Sequence, residues 1–121
     1  NEINVSNLLG VIKNEEEFND RNCIKVVCDN DMNAMYMSRT PIPEIFDLNV
    51  IGKQVCVIPF RKDFLLRYIS FDPTPLEINE SIDMLRIMEN GYKVKMVRTN
   101  FQTKAVDTLE DLFEVEKLIN I

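Results

Sequence analysis

Apolar and polar positions change period several times along the 121 residues, and each change predicts an element. Residues 1–22 are polar except for an apolar island at Val5, Leu8, Leu9, Val11 and Ile12, which predicts a short helix or a loop. Cys23 to Cys28 is dense in β-branched residues and reads as a strand, Asp29 to Asn33 is turn chemistry, and Ala34 to Ser38 reads as a second strand. Together they predict a β-hairpin. Pro41 and Pro43 end it, because neither can donate to a ladder. Residues 44–52 read as a loop. Gln54 to Phe60 is almost uniformly apolar, which predicts a central strand covered on both faces, with Pro59 at its end or at a bulge. Residues 61–69 follow as a helix with Phe64, Leu65 and Tyr68 on one side.

The best-marked element is a helix from Thr74 to Asn90. Thr74 suits the N-cap, Pro75 the first helical position, and Glu77 completes a capping box; Asn90-Gly91 supplies the stop. Ile78, Ile82, Leu85 and Met88 share one face with Ser81 and Met84 beside them, and Glu80 and Asp83 project elsewhere. Tyr92 to Thr99 reads as a strand, residues 100–105 as a polar loop, and Thr108 as the cap of a last helix with Leu112, Val115, Leu118 and Ile119 as its apolar stripe. The alternation after the hairpin predicts one α/β domain over residues 1–121.

Composition narrows the functions available. The net charge of −6 argues against broad binding to nucleic acid, while leaving room for a local basic pocket. The longest apolar run, Val55 to Phe60, is too short to span a bilayer, and no stretch has the form of a secretory signal, so no membrane role is expected. The chain starts at Asn1, which suggests processing, trimming or a fragment. Without histidine, Ser-His-Asp and Cys-His catalysis and histidine metal sites are excluded within this chain. The three cysteines lack zinc spacing and suit a reducing cytoplasm; they are expected to be buried free thiols, with Cys23 and Cys28 on opposite faces. With only three glycines, no Gly-rich phosphate loop is present.

Few residues carry chemistry on their own. Asp107 follows a strand and loop and precedes a helix cap; an acid there can ligand Mg2+ or merely assist the helix start. Ser38-Arg39 ends a strand, where the arginine can clamp a carboxylate or phosphate or simply face solvent. Glu80 and Asp83 fit the polar flank of an amphipathic helix.

Their combination is more specific. Ala34 to Pro43 resembles the "ALYFSRxPIP" segment of 3-deoxy-manno-octulosonate cytidylyltransferases (CMP-Kdo synthetases), with Ile24-Lys25-Val26-Val27 before it as in "VKVV". Arg61 to Leu65 is similar to "YRxxFL", Thr74 to Glu77 to "SPLE", Leu85 to Gly91 to "LRxLENG", and Val106 to Leu112 to "VDTPEDL". The resemblance implies the carboxyl-terminal part of a Rossmann-like nucleotidyltransferase fold, lacking the amino-terminal nucleotide-binding half, with the hairpin as a homodimerisation segment. It implies transfer of CMP from CTP to a 3-deoxy-2-ulosonic sugar acid with Mg2+, in lipopolysaccharide biosynthesis. Asp107 then matches a Mg2+ ligand, Arg39 with Ser38 lies near the sugar acid, and Asp83 and Glu80 fall in the sugar pocket.

Departures from the family pattern fall around that pocket. Gln54 stands where the family usually has histidine, Cys56 to Phe60 replaces "GIYAY" with the loss of two tyrosine hydroxyls, and Met84 replaces a frequent glutamine. Glu44-Ile45 follows "PIP" in place of a bulky aromatic and an arginine, and Leu109 replaces a proline. These changes suggest a variant ulosonic acid. They also leave open a non-catalytic binding or dimerisation module, or a cytidylyltransferase for another sugar acid such as an acylneuraminate. The family's triphosphate-gripping loop and second Mg2+ aspartate have no counterpart in this sequence, so the isolated chain is expected to be inactive.

Overall fold

A computed structural model of the protein describes residues 2–101 and 103–120. Among these, five strands form one sheet: β1 (Ser6–Gly10), β2 (Lys25–Cys28), β3 (Ala34–Ser38), β4 (Gly52–Val55) and β5 (Lys95–Arg98). The helices are α1 (Glu15–Asn19), α2 (Lys62–Tyr68), α3 (Pro75–Glu80), α4 (Met84–Glu89) and α5 (Leu109–Ile119). Strand order is β3-β2-β4-β1-β5, and β1 with β5 is the parallel pair. The α/β class and the hairpin of β2 and β3 are as the sequence predicts.

The first apolar island is neither helix nor loop but strand β1, hydrogen-bonded on both sides. Val5, Asn7 and Leu9 alternate inward, and Asn7 is fully buried. Its amide donates to the Val55 carbonyl at 2.6 Å and its oxygen accepts from Gln54 Nε2 at 2.7 Å. A polar residue in the middle inward position hides the period of two; its hydrogen bonds make it tolerable there. The strand expected at Gln54 to Phe60 is central but displaced. β4 ends at Val55, and Cys56 and Val57 are exposed, although the Val57 and Pro59 carbonyls still accept from β1. The expectation of three buried thiols therefore fails at Cys56, while Cys23 and Cys28 are half-buried and pack in different clusters, on opposite faces.

Successive residues of β2 point to opposite sides. Val26 joins the main core with Val5, Leu9, Met37, Phe64, Leu85, Ile87 and Met96; Val27 packs beside a smaller cluster of Ile12, Phe18 and Ile51. The hairpin turn also reaches the far edge of the sheet. Ala34 N–H donates to the Val94 carbonyl at 2.9 Å and Met96 N–H to the Met32 carbonyl at 2.7 Å. The β2–β3 turn thus links the two outermost strands at one corner.

The helix expected from Thr74 to Asn90 is broken. Ser81 adopts the left-handed conformation (φ 59°), so α3 ends at Glu80 and α4 begins at Met84. The predicted start and stop stand in position, with half of the capping box: Pro75 opens α3, Glu77 accepts from Thr74 N–H at 3.2 Å while the buried Thr74 hydroxyl makes no cap bond among the described residues, and Gly91 takes φ 83° after Asn90. The break leaves Ile78 exposed, while Ile82, Met84 and Leu85 are buried. α5 forms with its Thr108 cap, but Leu112, Leu118 and Ile119 are exposed and Val115 is only half-buried, so its stripe is not part of the core.

The break is spanned by charge. Glu77 is only 7% exposed, and both its oxygens accept from the Arg86 guanidinium, whose Nε lies 2.6 Å from Oε2. Arg86 in turn covers the Tyr68 ring, 5.1 Å from its centroid, joining α2 to α3 and α4. The hydrogen bonds from Arg86 hold the Glu77 carboxyl below the usual carboxylate range. Its stabilisation is therefore complete above that range and lost as pH falls through the lowered folded-state value. Glu77→Gln is expected to cost about 3 kcal/mol at neutral pH, as for breaking a buried pair. In thermal melts the gap to wild type should narrow below about pH 4; an equal gap at neutral and acid pH would show that the ion pair is not the cause.

Candidate functional site

The left-handed turn at Ser81 directs the carbonyls of Glu80 and Ser81 out of the helix, and Arg39, just past β3, takes both. Its Nε donates to Glu80 O at 2.7 Å and one terminal nitrogen to Ser81 O at 2.9 Å. The other terminal nitrogen donates to Arg21 O at 3.0 Å. The Arg39 backbone N–H donates to the Glu80 carboxylate at 3.3 Å. That carboxylate also lies against the Tyr36 hydroxyl, whose pKa is raised first by burial and then by Glu80.

A second cation holds the same loop from beneath. Lys25 is fully buried, opposite Ser38 on one side and Lys53 on the other. Its ammonium donates to Asp20 O at 2.8 Å and Cys23 O at 2.6 Å, and burial lowers its pKa. Burial likewise pushes the neighbouring Cys23 thiol up to about 11. Between them, Lys25 and Arg39 occupy the carbonyls of Asp20, Arg21 and Cys23.

Above this frame lies an open depression of about 450 Å³ lined by Asn19, Arg21, Arg39, Thr40, Pro41, Asn79 and Glu80. The predicted residues Arg39 and Glu80 meet there. Ser38 lies immediately behind, 3% exposed. Gln54 is engaged with Asn7 instead, and Asp83 is exposed at the start of α4, outside the depression. Asp107 is separate. β3 and β5 run in opposite directions, so Arg39 and Asp107 follow strands that end at opposite ends of the sheet.

The Asp107 backbone N–H donates to Asp111 Oδ2 at 3.1 Å, and this bond, followed by Lys104, holds the Asp111 carboxyl down at about 2. Asp107 itself is exposed, and no group of three metal-ligating side chains occurs among the described residues. One exposed carboxylate fits one position around Mg2+, an ion that takes a carboxylate or two together with waters and substrate phosphates. Asp107 does not form a site alone.

A cytidylyltransferase family model matches residues 1–104. The chain belongs to the cytidylyltransferase family. It is 37% identical to the 3-deoxy-manno-octulosonate cytidylyltransferase of Geobacter metallireducens over 96% of this chain and 51% of that protein. It is 36% identical to the enzyme of the same name from Fusobacterium nucleatum, over 94% of this chain and 47% of that one. Among solved structures, a CMP:2-keto-3-deoxy-manno-octonic acid synthetase in complex with CTP superposes with a TM-score of 0.86 at 28% identity, over 98% of this chain and 49% of that one. The chain thus spans about half the length of the relatives it matches, and it has the fold of this family.

Lys25 lies within the Ile24-Lys25-Val26-Val27 motif, but the motif assigns it no role; its structural signal is a lysine between Ile24 and Val26 in an otherwise apolar strand. Arg21 has no pattern around it and is found only through the loop that carries it. Arg39→Lys tests the frame: one ammonium cannot reach three divergent carbonyls, so a loss of about 1–2 kcal/mol is expected in denaturant unfolding. Unfolding of the lysine variant at the wild-type midpoint would mean that the three bonds contribute no net stability.

Proposed function

We propose that this chain supplies the sugar-acid side of a cytidylyltransferase that transfers CMP from CTP to a 3-deoxy-2-ulosonic acid, 3-deoxy-manno-octulosonate (Kdo) or a variant of it, with release of pyrophosphate. The observation that carries this reading is the superposition of 98% of the chain on a synthetase of that sugar acid in complex with CTP. In the reaction the anomeric oxygen forms a bond to the α-phosphorus, and the bond from that phosphorus to the pyrophosphate oxygen breaks. Positioning and charge stabilisation are what a protein contributes to such a transfer.

The frame of Arg39, Lys25 and the Ser81 turn holds the polar depression rigid, and Glu80 offers a carboxylate oxygen to a sugar hydroxyl. Mg2+, when bound, neutralises charge on the phosphates. Asp107 is the residue of this chain that would help to hold it. We assign the protein to the cytoplasm, where CTP is available and free thiols persist. We assign dimer contacts to the hairpin, where Met35 is 63% exposed on an outermost strand.

The isolated chain has no Gly-rich phosphate loop, and three of the five N–H donors of Arg39 are already taken by carbonyls. Calorimetry of the chain alone should therefore detect no tight CTP·Mg2+ binding. In the full-length protein, Asp107→Asn should lower turnover about a hundredfold or more, the scale of losing one electrostatic stabiliser of a transition state. Tight CTP·Mg2+ binding by the chain alone, or unchanged turnover in the asparagine variant, would overturn these assignments.

A second reading, a non-catalytic assembly module, is favoured by the engaged donors of Arg39 and by Gln54 turning to Asn7. Pyrophosphate release by the full-length protein, measured with Kdo and with related ulosonic acids, separates the two. Turnover with any of these acids excludes the module, and clear preference for Kdo excludes an altered sugar.

A further inference from the structure

We infer that Asn7 is a positioning residue: it orients the side-chain amide of Gln54 so that the Gln54 carbonyl oxygen is left to accept from a hydroxyl of the bound sugar acid. This rests on the proposed sugar-acid chemistry and fixes the polarity of one contact within it. Asn7 is fully buried, and Gln54 is half-buried. Leu9 is paired with Gln54 and lies two residues from Asn7, so all three point to the same side of the sheet. On that side Leu9 packs in one cluster with Ile82, Met84 and Leu85.

The orientation is set by the backbone and passed along the pair. The Asn7 amino group lies 2.6 Å from the Val55 carbonyl, 3.3 Å from that of Leu8 and 3.4 Å from that of Val57. Carbonyls only accept, so an Asn7 amide turned the other way would bring oxygen against oxygen. Its Oδ1 therefore faces Gln54, which donates to it from Nε2 at 2.7 Å. A reversed Gln54 would again set two oxygens together. The pair uses one of the two N–H groups of Gln54. It leaves Oε1 on the other side of the amide, where it accepts no hydrogen bond among the described residues.

An amide held this way carries no charge and presents an acceptor. Its partner is a hydroxyl, because a carboxylate or phosphate oxygen has no proton to offer it. Histidine, usual at this position in the family pattern, can take up a proton and hold an anion. The Asn7–Gln54 pair cannot. Met84, on the same side of the sheet, adds no donor. The residue at position 54 thus decides that a neutral group is recognised, and Asn7 decides that the group is a donor.

The first test is a titration that needs no activity. In Gln54→Glu of the 121-residue protein, one oxygen of the new carboxyl faces Asn7 Oδ1 and must hold a proton there. Carbon-13 NMR should place its pKa above the usual value of about 4.3, and adding Asn7→Thr should bring it back down, which burial alone would not do. A pKa at or below the usual value, or one that Asn7→Thr leaves in place, overturns the inference. The second test is a double-mutant cycle in the full-length protein with Kdo. Asn7→Thr keeps a side chain suited to a strand; it should raise KM about tenfold with kcat little changed, and it should add nothing to Gln54→Ala. Additive effects would make the role of Asn7 structural only and overturn the inference. Absence of turnover with any sugar acid would instead overturn the transferase reading and with it the hydroxyl as ligand, while the titration would still decide the orientation.

Discussion

The guanidinium of Arg39 is the point on which the site depends. It joins three segments that are remote in sequence: the loop at Arg21, the end of β3, and the helix break at Glu80 and Ser81, with separations of 18, 41 and 42 residues. A planar group with several fixed donors can serve three divergent acceptors, as a point-like ammonium cannot. Its partners are neutral carbonyls, so its positive charge is not cancelled and remains at the floor of the depression. The same bonds satisfy carbonyls that the left-handed turn at Ser81 removes from the helix ladder. Fold and local electrostatics meet in one side chain.

Lys25 extends this logic inward. A fully buried ammonium is costly, and its lowered pKa registers that cost. Two short hydrogen bonds to Asp20 and Cys23 carbonyls offset it. An apolar residue at this position would pack as well, but would leave those carbonyls beneath the loop without donors. The loop between α1 and β2 is therefore ordered by cations reaching its backbone and not by an apolar plug of its own.

The hairpin, α2 and the caps at Thr74 and Thr108 are legible in the sequence because each rests on local chemistry: turn residues, a proline at the first helical position, acids in the first turn. β1 is not legible, because its central inward residue is Asn7 and the partner that makes it tolerable, Gln54, lies 47 residues away. The break at Ser81 is equally hidden, since periodicity treats Ile78 and Ile82 as one stripe and the carbonyls released there are claimed by Arg39, far upstream. For the site, Arg39 and Glu80 are visible through family motifs, but their relation to one another is not, and motif matching is silent on Arg21. Residues that act through backbone carbonyls leave little trace in sequence patterns.

The corner where the β2–β3 turn meets β5 bears on folding kinetics. The contact between Lys95 and Asp31 closes the chain across 64 residues. Closure of so long a loop is entropically unfavourable until hairpin and β1 are already in place, so it belongs to the slow, topology-limited part of folding. It also couples the two outermost strands: neither can fray at this corner without releasing the other. The amides of Ala34 and Met96 lie in different strands, yet both are protected by bonds made at this one corner, so local opening there exposes them together.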